Sequence, residues 1–195
     1  DPSGNLLGVR SAYAGNVVAQ VAVKSPTAVA TIRPLAFPKS PGGGKIAAIS
    51  TAQAASSGKT EFVRFSPEAS NEIDVGSAEK IVAGGRGLGD AQGFEVLRKL
   101  AAKLGAAVGA SRAAVDSGWI PYKNQVGLTG RSVRPRLYIA CGISGQIQHL
   151  AGMKSSDVIV AINTDPECPM MKMSTYAVQG DYKKIIEALL KELGG

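Results

Sequence analysis

The chain has 195 residues, a formal net charge of +7 at neutral pH, 45% hydrophobic residues and only 5% aromatics, with 24 Gly and 10 Pro. That length supports one domain, or one plus a short appendage, with a core that needs no disulfide or metal staple. Apolar runs such as Ala106 to Ala110 and Val158 to Ile162 are far shorter than the ~20 residues of a membrane helix, and no stretch has the layout of a signal peptide. Direct membrane insertion is therefore not expected. Two cysteines, Cys141 and Cys168, and one histidine, His149, make neither a disulfide scaffold nor a closed four-ligand zinc site by themselves, so a reducing compartment is expected. The chain starts at Asp1 rather than Met, which suggests a fragment or a processed product.

In chain order, Asn16 to Val23 and Ala28 to Ile32 are rich in β-branched residues, with turn chemistry at Lys24-Ser-Pro-Thr27 between them. This predicts a β-hairpin. Pro34, Pro38, Pro41 and Gly42-Gly-Gly44 then interrupt regular structure, which places a boundary near Lys45. The division expected is a leading hairpin and linker over 1–44 and a main domain over 45–195. Lys45 to Ile49 and Phe62 to Phe65 read as further short strands, and Pro67 to Gly76 as a polar connection. From Glu79 onward short apolar strands, Gly-rich corners and helical segments alternate, the signature of parallel βαβ units. Lys80 to Ala83, Ala106 to Val108, Leu137 to Cys141 and Val158 to Ile162 read as strands. Phe94, Leu97, Leu100, Ala101 and Leu104 recur at helical spacing up to Gly105, and a short helical stretch runs through Ala151. Asp181 to Leu193 closes the chain as an amphipathic helix with Asp181 at its N-cap.

Gly84-Gly-Arg-Gly-Leu-Gly89 is a Gly-rich turn between a strand and a helix, where backbone N–H groups can face a phosphate. Asp90 stands where GxGxxG needs its last Gly, so a tight structural turn is an equal reading; Arg86 favours an anion. Ser144-Gly-Gln-Ile-Gln-His149 opens a helix after a strand and offers a second anion cradle. Ser111 and Arg112 open a short helix, where they bind an anion or simply cap and pair with Asp116. Gln125-Val-Gly-Leu-Thr-Gly130 is a polar loop leading to Arg131, Arg134 and Arg136. That basic cluster has no interleaved aromatics and no recognisable module, so nucleic acid is not an expected partner. Gly142-Ile-Ser-Gly145 is one residue short of a nucleophile elbow. Ser57-Gly-Lys-Thr60 has Gln53 where a P-loop needs Gly.

These motifs occur in a fixed order: Gly84 to Gly87, Gly109 to Asp116, Gln125 to Gly130, Gly142 to Gly145 followed by Gln148 to Met153, then Ala161 to Pro166. Together they resemble the C-terminal, FAD-binding domain of the electron transfer flavoprotein alpha subunit. The resemblance is dense from about Lys80 to Leu193, and Tyr13 to Asn16 with the hairpin resembles the start of that domain. It implies an α/β fold with a parallel sheet, a dinucleotide-binding domain of the deoxyhypusine-synthase-like group, preceded by a small β-hairpin. It also implies FAD as cofactor, an electron transfer flavoprotein beta subunit as partner, primary flavin dehydrogenases such as acyl-CoA dehydrogenases as donors, and a quinone-linked oxidoreductase as acceptor. The role is then an electron carrier rather than an enzyme, serving fatty acid beta-oxidation, in bacterial cytoplasm or, for a eukaryotic source, the mitochondrial matrix.

Carried over by motif, Arg86 lies near the flavin or its phosphates, and Ser111 and Arg112 face the isoalloxazine. Gln125, Val126, Gly127, Leu128 and Thr129 form the loop around the ring, with the Thr129 hydroxyl near N5. Ser144, Gly145, Gln146, Ile147, Gln148 and His149 cradle the pyrophosphate and bring His149 toward O2. Asn163, Asp181 and Tyr182 hold the adenosine end. A one-electron-reduced flavin carries negative charge around N1 and O2, so Arg112 and a protonated His149 would stabilise it. Leu128 stands where the family commonly has Gln, and Gln146 where it has a small residue. Trp119 and Tyr122 are expected in the core rather than beside the ring. The other reading is an NAD- or nucleotide-binding enzyme of similar fold, with His149 as acid or base.

Overall fold

The computed structural model describes residues 3–13, 17–32, 36–37, 41–44, 48–53, 58, 60–65 and 72–194. A two-stranded antiparallel ribbon comes first: β1 (Leu7–Ala12) pairs with β2 (Val17–Ala22), Leu7 opposite Ala22 and Ala12 opposite Val17. The hairpin is therefore present, but its strands differ from the expectation. Val17 to Ala22 takes its partner from the N-terminal side, pairing with Leu7–Ala12. Ala28 to Ile32 forms no strand and lies exposed, while Ser25 Oγ closes a local bond to the Thr27 carbonyl at 2.7 Å. Phe62 to Phe65 is also not a strand: Phe62, Val63 and Phe65 are exposed, and among the described residues their β-propensity has no strand partner to act on. Of the strand expected at Lys45 to Ile49, Ala48 and Ile49 carry no regular structure and 45–47 lie outside the described residues. Asn16, Pro34, Pro38 and Lys45, with residues 67–71 of the polar connection, lie outside them too.

The regular α/β unit starts at β3 (Lys80–Gly84) and continues through α1 (Gly93–Leu104), β4 (Ala107–Ala110), α2 (Arg112–Asp116), β5 (Leu137–Cys141) and α3 (Ile147–Met153). It ends with β6 (Val158–Asn163), α4 (Pro169–Met173), β7 (Tyr176–Gln179) and α5 (Tyr182–Glu192). The five strands β3 to β7 form one parallel sheet in the order β4-β3-β5-β6-β7. This is the parallel α/β fold expected, with β7 and α4 as elements that the sequence pattern did not reveal.

Alternation along the strands divides the core between two faces. Ile81, Ala83, Tyr138, Ala140, Ile159 and Ala161 face one cluster with Met153, Met170 and Met171. Val82, Ile139, Cys141 and Ile162 face the other, where Phe94, Leu97 and Leu100 of α1 and Ile186 of α5 complete a fully buried layer. α1 ends where expected, at Gly105 in the left-handed region (φ 61°), whose N–H reaches the Ala101 and Ala102 carbonyls.

The corners that follow β3 and β5 touch. Gly85 N–H donates to the Cys141 carbonyl and Gly87 N–H to the Gly142 carbonyl, both at 2.9 Å. A Cβ on Gly85 would collide with the Gly142 carbonyl and would come within 2.8 Å of Ile143 Cα. Gly85→Ala is therefore expected to destabilise the chain by about 1–3 kcal/mol, read as a lower urea midpoint with the slope unchanged.

Candidate functional site

The strand order places β3 between β4 and β5, so the chain leaves β3 in one direction for β4 and then crosses to the other side for β5. At such a switch point the loops beyond the carboxyl ends diverge and leave a crevice. A cleft of about 570 Å³ occupies this place, within the ~300–1,000 Å³ usual for ligand sites. It is lined by Arg86 and Gly87 after β3, by Ser111 to Ala113 and Asp116, by 125–129, by 142–146, by Gln148 and His149, and by Asn163, Asp165 and Cys168.

Most of the residues singled out from sequence are thus brought together. Arg86 sits in one turn of 3-10 helix, Arg86–Leu88, with its side chain exposed at the cleft. Ser111 caps α2, its Oγ accepting from Ala114 N–H at 3.4 Å. Arg112 contacts Asp116 through Nε at 3.3 Å, but both side chains are largely exposed, and such a pair contributes well under 1 kcal/mol. The capping and pairing roles are real, and neither takes these residues away from the cleft.

The 125–130 loop is fixed by its own polar groups. Val126 N–H donates to Ala110 at 2.9 Å, Leu128 N–H to Gln148 at 2.7 Å and Arg131 N–H to Gln125 at 2.7 Å. Buried Gln125 donates from Nε2 to Thr129 Oγ1 at 3.0 Å. That bond occupies an acceptor position of the Thr129 hydroxyl and leaves its hydrogen to be given elsewhere. Leu128 is 58% exposed, an apolar side chain on the wall where a polar one would add a contact. Tyr122, expected in the core, is 65% exposed because its hydroxyl reaches out to the Thr129 carbonyl at 2.6 Å. Trp119 is partly buried against the α1 side of the sheet.

The β5–α3 corner supplies donors. None of the N–H groups from Ser144 to Gln148 has a protein acceptor among the described residues, although His149 and Leu150 N–H already return to the Gln146 carbonyl at 2.9 and 3.0 Å. Gly142 (φ 61°) and Gly145 (φ 86°) give the corner its left-handed steps. Asn163 bonds the Ile143 carbonyl through Nδ2 at 3.1 Å and accepts from Asp165 N–H through Oδ1 at 3.1 Å. One amide hydrogen and one lone pair of Asn163 remain for a ligand.

His149 is buried. Its Nε2 lies 3.0 Å from the Tyr138 hydroxyl, and its Nδ1 is buried without a hydrogen-bond partner. Burial pulls the imidazole down to about 4, with the Val126 carbonyl acting in the opposite sense. In the free chain at neutral pH the ring is therefore neutral, because the Val126 carbonyl offsets only part of the cost of removing its charge from water; the protonated form expected from sequence is the one that would face a reduced flavin. A ring of that acidity is also a poor general acid at pH 7.

Three of the expected site residues lie outside the lining. Ile147 is exposed on the first turn of α3. Asp181 caps α5, accepting from Lys183 and Lys184 N–H at 2.8 and 3.3 Å. Tyr182 packs under Gly93 and donates to the Leu88 carbonyl at 3.1 Å. Conversely, the cleft includes Cys168, which no motif marked, and Asp165, which lies in the Ala161 to Pro166 motif but was assigned no contact with the cofactor. Tyr138 reaches His149 from β5, and within the sequence it reads only as one more inward position of a buried strand. Among the described residues no cluster of His, Cys, Asp and Glu could hold a metal ion, and both cysteines are free and buried.

Residues 74–154 match the family model described as the electron transfer flavoprotein FAD-binding domain. The chain is 44% identical over 199 residues to the electron transfer flavoprotein subunit alpha of Thermoanaerobacterium thermosaccharolyticum, covering 99% of this chain and 60% of that protein. It belongs to the electron transfer flavoprotein alpha-subunit family. The subunit alpha of Paracoccus denitrificans is 47% identical over 184 residues, 94% of this chain and 60% of its own length. The mitochondrial subunit alpha of Oryza sativa subsp. indica is 49% identical over 138 residues, 71% of this chain and 38% of its own. The chain spans about 60% of the length of the bacterial alpha subunits. The matched segment ends within a residue of α3 and so holds the β3, β4 and β5 corners and the 125–130 loop, that is, most of the cleft.

Two outcomes follow from this geometry. His149 folds with its pKa at about 4 against about 6.5 unfolded, so between those values the unfolded chain binds more protons. The neutral ring's contribution is complete above about pH 6.5 and is lost as pH falls toward 4, roughly 3 kcal/mol in all. Urea melts from pH 7 to 4 should show this as the difference in slope between the wild type and His149→Gln. Asp181→Ala should cost about 1 kcal/mol through the lost cap, and Asp181→Ser should recover most of it, both measured by thermal unfolding without added ligand.

Proposed function

We propose that this chain holds FAD in the switch-point cleft and, with a beta subunit, carries electrons from primary flavin dehydrogenases to a quinone-linked acceptor without turning over a small-molecule substrate. The observation that carries the reading is the donor set gathered at one crevice. The N–H groups of Ser144, Gly145, Gln146 and Gln148, which have no protein acceptor among the described residues, the guanidinium groups of Arg86 and Arg112, the Thr129 hydroxyl and a buried Nδ1 of His149 meet there.

When bound, FAD supplies one- and two-electron redox chemistry. The chain's own residues supply the surroundings. N–H groups with no protein acceptor suit a diphosphate, which brings strong acceptor oxygens and negative charge to an electropositive corner. Arg112 keeps its charge at every working pH and places it on the cleft wall, where charge gained by the ligand is stabilised. The Thr129 hydroxyl, oriented by Gln125, offers a hydrogen to a ring nitrogen. His149 is neutral until negative charge arrives nearby, and such a charge favours its protonated form. Asn163, with Asp181 and Tyr182 beyond it, is assigned to the adenosine end. The division of the chain into a leading segment, 1–44, and an FAD-binding domain, 45–195, belongs to the same reading, as does a place in fatty acid oxidation. Among the described residues no helix is long and apolar enough to cross a membrane, in keeping with a carrier that meets its acceptor from the bacterial cytoplasm or the mitochondrial matrix.

Absorption spectra recorded before and after FAD addition and desalting test this directly, on the chain alone and on the complete heterodimer. Retained visible flavin bands are expected, and Arg112→Ala should weaken FAD binding about tenfold, the loss of one charge-assisted contact of about 1.5 kcal/mol, and lower the reduction potential. Failure of the heterodimer to retain flavin overturns the proposal.

A further inference from the structure

We propose that Tyr138 is a positioning residue for the cleft: its buried hydroxyl donates to His149 Nε2, holds the imidazole hydrogen on Nδ1, and leaves that N–H for an acceptor oxygen of the bound cofactor. The identity of the acceptor rests on the FAD reading; the choice of tautomer does not.

Tyr138 is the fully buried second residue of β5, and among the described residues its hydroxyl has one hydrogen-bond partner, His149 Nε2, at 3.0 Å. The two groups can share that contact in two ways. If Nε2 carried the hydrogen and donated to the phenol, the Tyr138 O–H hydrogen would have no acceptor and the Nδ1 lone pair would also be unmatched. If the phenol donates, the tyrosine hydrogen is placed and one donor, Nδ1–H, remains. The second arrangement leaves fewer buried groups unsatisfied, and each such group costs about 1–3 kcal/mol. Burial also raises the phenol well above its ordinary pKa, with the Cys141 thiol adding in the same direction, so its hydrogen is always present to give. The ring pair meets edge-on at 61°, centroids 6.1 Å apart. The remaining Nδ1–H belongs to a residue of the cleft wall; the Val126 carbonyl acts on the same ring as a backbone acceptor but makes no full hydrogen bond to Nδ1. A buried donor without a partner is matched when a ligand acceptor enters.

A single histidine in the chain makes the test direct. In nitrogen-15 spectra of the labelled 195-residue chain without flavin, the one imidazole is expected to show a protonated Nδ1 and an unprotonated Nε2. Tyr138→Phe, which keeps the ring and removes the hydroxyl, should shift the population toward Nε2–H and weaken FAD binding about five- to tenfold. A wild-type ring protonated on Nε2, or an unchanged tautomer in Tyr138→Phe, overturns the proposal. The wild-type spectrum decides the tautomer even where the variant does not fold. Nδ1–H in the wild type, lost in Tyr138→Phe, with a heterodimer that does not bind FAD supports the tyrosine's role in setting the tautomer and refutes the flavin reading instead.

Discussion

The site depends on backbone meeting backbone at the switch point. Gly85 and Gly87 lie against Gly142 with no side chain between them, and the two corners exchange hydrogen bonds with the end of β5 and its exit. A Cβ at any of the three would separate the loops, so glycine is required there by close packing. Gly152 against Gly127 repeats the device on the far wall, where a Cβ would come within 2.6 Å of the Gly127 nitrogen. These two close approaches, rather than the helices, hold Arg86, the 125–130 loop and the β5–α3 corner around one crevice.

Within that frame the polar groups fall into two kinds. Arg86 and Arg112 keep their charge at the exposed rim, where solvation costs little and screening is strong. His149, Gln125 and Asn124 are buried and uncharged, and their hydrogen bonds set orientation. Gln125 directs the Thr129 hydroxyl as Tyr138 directs the imidazole. Tyr138 lies behind the cleft wall and Gln125 on it, and both determine which hydrogen the wall can offer, in the way that supporting residues orient first contacts in preorganised sites.

Much of the α/β half was legible. Helical spacing from Phe94 to Leu104, a Gly stop at 105, the strand Leu137–Cys141 and the Asp181 cap all lie where local pattern places them, because burial on one or both faces leaves a periodic mark. β7 was not legible: Tyr176–Gln179 is a four-residue, mostly exposed edge strand with no apolar run. The N-terminal strands failed for the opposite reason. Ala28 to Ile32 and Phe62 to Phe65 have strand composition but no strand partner among the described residues, and propensity without pairing does not make a sheet.

For the site, sequence by itself determined the residue types and the order of the loops, since Gly-rich corners, a Ser-Arg pair and one histidine are local features. Only the tertiary structure decided which of them share a cleft. It brought 86, 111–112, 125–129 and 142–149 together and left Ile147, Asp181 and Tyr182 outside the lining. It also decided protonation, because the neutrality of His149 comes from burial, and it placed beside the ring a tyrosine eleven positions away on β5. Desolvation and hydrogen-bond partners are set by what packs around a group in space, and strand order at the sheet's switch point is what brings those groups together.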